Sequence, residues 1–548
     1  MRIVIVSNRL PVVVERTPTG LEVHPGSGGL VTALAPVLRE RGGLWIGWPG
    51  AVGADEPELE GVFARFGAEA GYQLRPVYLT AEEQEGFYHG FSNEIIWPLF
   101  HDLQSRCNFV PEYWTAYLAV QRKFAEVVVA SVTPRDFIWV QDYHFMGLGR
   151  WLRERGLRNR IGFFLHIPFP PPDIFCKLPW RREVILGLLE YDIIGFQTPR
   201  DRENFADCLR RLLPGVRLGR SRSLLDIAFE GQRASAGCFP IGMDYREFAA
   251  LAAQPAVVAR VRSVRADMNV EQILLGVDRL DYTKGIPERI KAFQLTLSRY
   301  PELHRRIALL QVVVPSREAV AEYQALKAAI ERLVTQVNGQ FTKPGWVPIH
   351  HVFRMVEREE LVAYYRAADV ALVTPLKDGM NLVAKEYCAC QVEGNGVLIL
   401  SEFAGAAVQF AKAAVLVNPY DADTVAEAIR RAVLMTPGQR RPSMRRLRAT
   451  VGRQDVYWWV RRFLSACGVE AAVVPVGAQR RGAGCRRGGG PHATPRAGGP
   501  TPDAVVAPVP RKRRRGEPPL KGRHGASAAR SSCRAGLSGD VSSATGAP

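Results

Sequence analysis

Eight apolar runs of strand length recur along the chain: RIVIVS (2–7), DFIWVQ (136–141), IGFFLH (161–166), DIIGFQ (192–197), QILLGV (272–277), IALLQVVV (307–314), DVALVT (369–374) and GVLILS (396–401). They are apolar at successive positions rather than at alternate ones. A strand can bury both faces only where helices cover both sides of its sheet, so the runs belong to parallel sheets and the fold class is α/β. Helical periodicity fills the spaces between them, over 112–130, 287–300, 317–337 and 424–433, most with a polar starter or a proline near the first turn. The series falls into two blocks, which predicts two doubly wound, Rossmann-like domains facing a central cleft. Gly and Pro interrupt the pattern in GCFPIGMDY (237–245), so the expected units are 1–240, 241–466 with QDVYWWVRRFL (454–464) as a closing helix, and 467–548.

The 548 residues are 47% hydrophobic and 23% charged, which excludes wholesale disorder, a collagen-like repeat and a small disulfide scaffold. No apolar run reaches the roughly 18 residues that span a bilayer, and MRIVIVSNRLP has no small-residue cleavage site behind it, so the expected location is cytoplasmic, without a membrane partner. Nine scattered cysteines without C-x-x-C spacing read as reduced thiols. The net charge of +18 invites a nucleic-acid reading, but residues 471–548 alone carry 14 Lys and Arg against 3 Asp and Glu. That tail, rich in Gly, Pro, Arg, Ser and Ala, lacks periodicity and is expected to be disordered. Its RKRRRG run (511–516) reads as a solvated cationic stretch with no specific nucleic-acid partner.

Two strand-to-helix turns carry the chemistry. In GVDRLDYTKGIPERI (276–290), Arg279 and Lys284 leave a strand end beside a helix start. An arginine fork, a lysine point charge and free helix amides make a natural phosphate clamp, the alternative being a surface turn with paired charges. In TPLKDGMNLVAKEYCAC (374–390), Asp378 and Gly379 precede a helix that opens with Leu382 and Val383 and carries Glu386. Glycine admits a ligand close to the backbone, amides hold a diphosphate and carboxylates accept from sugar hydroxyls, a combination suited to a nucleotide sugar. Asp378 could instead be a plain helix cap, and Glu386 an exposed charge paired with Lys385 or Arg354. From the first block, SNRLP (7–11), the glycine-rich PGSGGLVTAL (25–34), YHGFSNEIIWP (88–98), WVQDYH (139–144) and FFLHIPFPP (163–171) bring polar groups to similar strand ends. Arg9, Tyr88, Trp97, Asp142 and His166 are candidates for the acceptor side of the cleft.

Taken together and in this order, SNRLP, GGLVTAL, WVQDYH, FFLHIPFP, DRLDYTKG and TPLKDGMNLVAKEY resemble the trehalose-6-phosphate synthase family, retaining glycosyltransferases of family 20 with the two-Rossmann GT-B architecture; the similarity runs from about Arg2 to Leu464. The resemblance implies transfer of glucose from a nucleoside diphosphate glucose, UDP-glucose or else ADP- or GDP-glucose, to glucose 6-phosphate. By matching motif, Arg279 and Lys284 would hold the donor diphosphate with Gly29 and the amides of Leu382 and Val383. Glu386 would meet the ribose, and Asp378 with Gly379 the transferring glucose. Arg9, Trp45, Tyr88, Trp97 and Arg317 would surround glucose 6-phosphate, Arg9 and Arg317 pairing with its phosphate. Asp142 would orient the acceptor, His166 would lie beside the anomeric centre, and backbone around 353–355 would meet the base. It also implies a homo-oligomer and no cofactor or metal. The D-x-D string at Asp421 and Asp423 sits at a helix start outside the phosphate turns and reads as a cap. Related readings are a glucosylglycerol-phosphate synthase, an aminocyclitol-joining pseudo-glycosyltransferase, or a catalytically silent regulatory body.

Overall fold

The computed structural model describes residues 1–17, 20–26, 29–50, 56–221, 223–316 and 320–469. Arg317, Glu318 and Ala319 and the segment read as a disordered tail lie outside the described residues.

In chain order the strands are β1 (Ile3–Arg9), β2 (Val12–Thr17), β3 (Gly20–Pro25), β4 (Gly43–Trp48), β5 (Gln73–Pro76), β6 (Phe137–Gln141), β7 (Ile161–Phe164), β8 (Ile193–Phe196), β9 (Arg217–Ser221), β10 (Leu224–Phe229) and β11 (Gln232–Cys238). A second series comprises β12 (Gln272–Arg279), β13 (Ile307–Val314), β14 (Ile349–Phe353), β15 (Val370–Val373), β16 (Val397–Ser401) and β17 (Val415–Val417). The first sheet runs β5-β4-β1-β6-β7-β8-β11-β10-β9 and the second β14-β13-β12-β15-β16-β17, while β2 and β3 form a separate hairpin. All pairings of the second sheet are parallel, as are those of the first from β5 to β11. All eight apolar runs become strands of these two sheets. Every residue of β6, β7, β8, β15 and β16 is buried, as two-sided helix cover requires. Sequence patterning did not single out β4, β5, β14, β17, the hairpin or the antiparallel margin β9 to β11, several of which are short or only half apolar.

Four helices matter for the site: α1 (Gly29–Arg41), α2 (Ile286–Arg299), α3 (Leu382–Cys390) and α4 (Val456–Ala466). The helix expected over 317–337 begins at Ala321 and ends at Phe341. The chain passes from the first sheet to the second between Cys238 and Gln272, and α4 then comes back to the first sheet. Its Trp459 and Phe463 rings lie 5.1 and 4.6 Å from the Trp139 ring on β6, Phe463 nearly parallel to it at 9°. Gly195 on β8 makes the hollow for Phe463, whose ring would stand 2.8 Å from a Cβ there. The expected closing helix is therefore fastened to the first sheet, which offers it an aromatic face.

Beneath the 279–284 turn a buried ion pair fixes the backbone. Arg289 on α2 reaches Asp278 at 2.5 Å, Gln311 at 3.1 Å, Thr374 at 3.0 Å and the Lys284 carbonyl at 3.3 Å, and the side chains of Arg289 and Asp278 are 0% and 3% exposed. One guanidinium thus ties β12, β13, the loop after β15 and the turn itself. Removing one partner of such a pair leaves an uncompensated buried charge, so Arg289→Met is expected to lower stability by about 3–5 kcal/mol, read as a fall in the urea midpoint.

Candidate active site

The carboxyl ends of the two parallel sheets bring the turns of both blocks together, the usual ligand position in open α/β folds. On the second sheet, Arg279 ends β12 and is half exposed, and its nearest carboxylate among the described residues is Asp281 at 3.9 Å. Lys284 lies five residues on and bonds Asp378 at 2.6 Å. Burial alone would raise the Asp378 carboxyl, but the Lys284 ammonium holds it below its ordinary value. Asp378 also accepts from Asn381 at 3.2 Å and from the Met380 amide at 3.3 Å. The cap of α3 is Asn381, whose side chain takes the Ala384 amide at 3.0 Å, so Asp378 is not that cap and stays with Lys284. The amides of Leu382 and Val383, in the first turn of α3, have no intrahelical acceptor. Glu386 accepts from Tyr365 at 2.8 Å, and burial raises its carboxyl. Neither alternative partner holds it: Lys385 is turned into the core and Arg354 pairs with Glu360.

The first sheet meets this turn at backbone distance. A Cβ on Gly379 would stand 2.0 Å from the His166 carbonyl oxygen, so only glycine fits. The His166 amide donates to Asp142 at 3.1 Å, and the Tyr143 amide donates to the same oxygen at 3.0 Å. Asp142 has φ 71° and ψ 171°, a region that non-glycine residues occupy at a cost of about 1–3 kcal/mol and that clusters at functional sites. Burial pushes its carboxyl up to about 7, against the opposing pull of the two amides and Arg279. Burial likewise takes the His166 imidazole down to about 3.

A run of aromatic contacts leads away from Asp142. Trp97 is 5.8 Å from Tyr143, Tyr143 is 4.0 Å from His144, and His144 stacks on Tyr88 at 6.1 Å with an interplanar angle of 11°. Tyr88 meets Trp48 edge-on at 6.1 Å, and the Arg9 guanidinium lies 4.0 Å over Trp48. Asn93 ties the wall together, accepting from the Tyr143 hydroxyl at 3.1 Å and donating to the Tyr88 carbonyl at 2.7 Å. Tyr88 and Asn93 belong to a π-helical stretch, Gln84–Ile96, of a kind that recurs at functional sites.

Arg9, Tyr88, Trp97, Asp142 and His166 are thus brought into one neighbourhood, and Arg279, Lys284, Asp378, Gly379, Leu382, Val383 and Glu386 into another that abuts it. Gly29 opens α1. Trp45 is a correction: it packs against Tyr72 and gives its indole N–H to Ser7 at 2.7 Å, on the face of β4 opposite to the one that meets Arg9. The side chain beside Arg9 is Trp48, three residues on and on the opposite face of β4, a parity that the string LWIGWPG already contained. His144, Asn93, Gln141 and Gln197 were also missed, the first three lying next to or within motifs that were picked out. Asp421 caps its helix through the Thr424 amide at 3.0 Å, and among the described residues no group of three His, Cys, Asp or Glu could hold a metal ion. Cavities of about 440 and 420 Å³ flank the clamp, the first lined by His89, Asn93, Arg106, Tyr282 and Tyr323, the second by His101, Arg200, Lys377 and Asp378. A hollow of about 970 Å³ lies at the opposite strand ends around Met1, Gly43 and Gln73. No helix among the described residues is long and apolar enough to cross a membrane.

The model of glycosyltransferase family 20 matches residues 1–468. A trehalose-6-phosphate synthase of Mycolicibacterium smegmatis (strain ATCC 700084 / mc(2)155) is 43% identical over 470 residues, covering 84% of this chain and 92% of that protein. Its counterpart in Mycobacterium avium (strain 104) is 43% identical over 470 residues, covering 84% and 94%. Among solved structures, one from E. coli bound with UDP-2-fluoro glucose matches with a TM-score of 0.76 and 35% identity, over 86% of this chain and all (100%) of that one. An α,α-trehalose-phosphate synthase (UDP-forming) from Burkholderia xenovorans in complex with glucose-6-phosphate matches with a TM-score of 0.77 and 33% identity, over 85% and 100%.

The raised Asp142 carboxyl has a consequence for stability. Between pH of about 4 and 7 the unfolded chain has lost this proton while the folded chain keeps it, so the Asp142 contribution falls as pH rises through that window. Asp142→Asn keeps the acceptor for both amides and removes the titration. The variant is expected to gain on the wild type by up to about 4 kcal/mol between pH 4 and pH 7, at about 1.4 kcal/mol per pKa unit, in paired urea unfolding curves.

Proposed function

Because the chain belongs to glycosyltransferase family 20, matching its model over residues 1–468, we propose that it transfers glucose with retention from UDP-glucose to glucose 6-phosphate, making α,α-trehalose 6-phosphate and releasing UDP. The observation that carries this reading is the seam at Gly379: a phosphate clamp of Arg279 and Lys284 on one sheet end, set against Asp142 and His166 on the other with no side chain between. In this reading residues 1–240 bind the acceptor and 241–466 the donor.

Arg279 and Lys284, with Gly29 and the amides of Leu382 and Val383, take the donor diphosphate. Negative charge grows there as the glycosidic bond breaks, so cations already in place stabilise the transition state more than the ground state. Glu386 meets the ribose and Asp378 the glucose hydroxyls, Asp378 also fixing the Lys284 ammonium. Arg9, Tyr88 and Trp97, joined by Arg317, hold glucose 6-phosphate, the guanidinium groups on its phosphate and the rings on its sugar face, while the buried Trp48 ring supports the Arg9 guanidinium.

Retention through a covalent intermediate would need a free carboxylate nucleophile. Asp142 has one oxygen engaged by two backbone amides, and Asp378 is paired with Lys284. The paired Arg279 and Lys284 at the leaving diphosphate favour the front-face route, in which the departing phosphate oxygen accepts the proton of the incoming hydroxyl. Metal-free catalysis and homo-oligomeric assembly belong to the same reading and rest on the family. A different acceptor is the second reading, since the acceptor wall is where related enzymes diverge.

The deciding measurement is nucleotide release with UDP-glucose and glucose 6-phosphate, with mass and linkage analysis of the product, repeated with ADP- and GDP-glucose. A non-reducing disaccharide phosphate is expected, with no glucosylated carboxylate in protein quenched during turnover. Arg279→Ala and Lys284→Ala should each lower kcat/KM for the donor by about 10²–10³-fold. Folded protein that turns over no donor would overturn the assignment.

A further inference from the structure

Both ring nitrogens of His166 are engaged by the protein. Nε2 lies 2.9 Å from Gln141 Oε1, and Nδ1 lies 3.4 Å from Gln197 Nε2. By themselves these contacts leave the tautomer open, because a side-chain amide can be turned end for end. The segment between the sheets removes that freedom. The Ile241 amide donates to Gln197 Oε1 at 2.9 Å, so the Gln197 amide group must present its NH2 to the ring. A donor facing Nδ1 requires a lone pair there, which places the ring proton on Nε2 and makes the Gln141 oxygen its acceptor. Asp142 meets the backbone amide of His166 and not its ring. Ile241 is held on its other side as well, its carbonyl accepting from Lys385 Nζ at 2.5 Å, and Lys385 is buried at 1% exposure on α3, next to Glu386.

We propose that the Ile241 amide, Gln197, His166 and Gln141 form a directional hydrogen-bond relay that holds His166 as the neutral Nε2–H tautomer, with Gln197 and Gln141 acting as positioning residues for glucosyl transfer. The relay begins on the segment that joins the two sheets, at a residue also gripped by the donor-side helix. The polarity of the imidazole is therefore set where the two halves are joined. A neutral ring beside the anomeric carbon tolerates the positive charge that develops there, whereas an imidazolium would oppose it. The depression of the His166 pKa by burial acts in the same direction. The effect on rate rests on the glucosyltransferase reading above; the tautomer is a property of the protein without substrate.

Selective ¹⁵N labelling of histidine in the full chain, which has 10 histidines, reads the tautomer directly, with His166→Asn identifying the signal. At pH 7 the wild type should show a protonated Nε2 and an unprotonated Nδ1. Gln197→Met should mix the two tautomers and lower kcat about tenfold, with KM for both substrates within about twofold. Gln141→Met, which removes the acceptor at the other end, should do the same and serves if the first variant does not fold. A wild-type His166 that is protonated at Nδ1 or doubly protonated at pH 7 would overturn the relay. So would folded variants with an unchanged tautomer. A wild type that shows the Nε2–H form without synthase turnover would count against the activity and for the relay.

Discussion

The contact on which the cleft depends is the one with no room for a side chain. Gly379 lies against the His166 carbonyl on one side and against Gly405 on the other, where a Cβ on Gly405 would come within 1.9 Å of the Gly379 oxygen. Three backbones are stacked there, one from the first sheet and two from the second. Beside it Asp142 reaches the His166 amide within the first half, Asp378 reaches Lys284 within the second, and Lys377 pairs with Asp102 across the two. Any larger residue at 379 would wedge the sheet ends apart and separate the clamp from the groups it faces.

The charges near this seam are treated in two different ways. Arg289 and Asp278 are buried and paired with each other, and one Arg289 hydrogen bond ends on the Lys284 carbonyl of the clamp turn. They contribute position rather than binding. Arg279, one residue beyond Asp278, is 52% exposed and has only a 3.9 Å carboxylate contact among the described residues. A cation held by its backbone but weakly paired through its side chain is ready to take an anion without first breaking a strong ion pair. The same division separates Asp378, committed to Lys284, from Asp142, whose carboxyl meets two backbone amides and feels Arg279 without forming an ion pair among the described residues.

The parallel cores were legible because two-sided burial writes a continuous apolar run into the sequence, and all eight such runs became strands. The antiparallel margin β9 to β11 was not, since Arg217–Ser221 is mostly exposed and has no apolar pattern to detect. Within the site, residues carried by a turn with several polar groups, such as Arg279, Lys284 and Asp378, could be found from the local string. Trp45 and Trp48 show the limit: the string names two indoles, both of them buried, and only strand parity decides which one packs under Arg9 and which against Tyr72. Gln141 and Gln197 were out of reach for another reason. They lie on or just beyond different strands, and nothing in either string says that both point at one imidazole.

These features together divide the cleft electrically. At one end, to which the proposed reaction assigns the donor diphosphate, stand Arg279, Lys284 and the first-turn amides of α3. At the other, across Gly379, burial lifts the Asp142 carboxyl to about 7 and lowers the His166 ring to about 3, so neither carries its full charge at neutral pH. A permanent cation near the anomeric carbon would resist the charge forming there, and a strongly nucleophilic carboxylate would invite a covalent side path. Burial against the Gly379 seam suppresses both at once, because the desolvation that keeps His166 unprotonated also weakens the ionisation of Asp142. The close approach of the two backbones is therefore an electrostatic device as well as a steric one: it strengthens the fields of the cations that remain while quieting the groups beside the sugar.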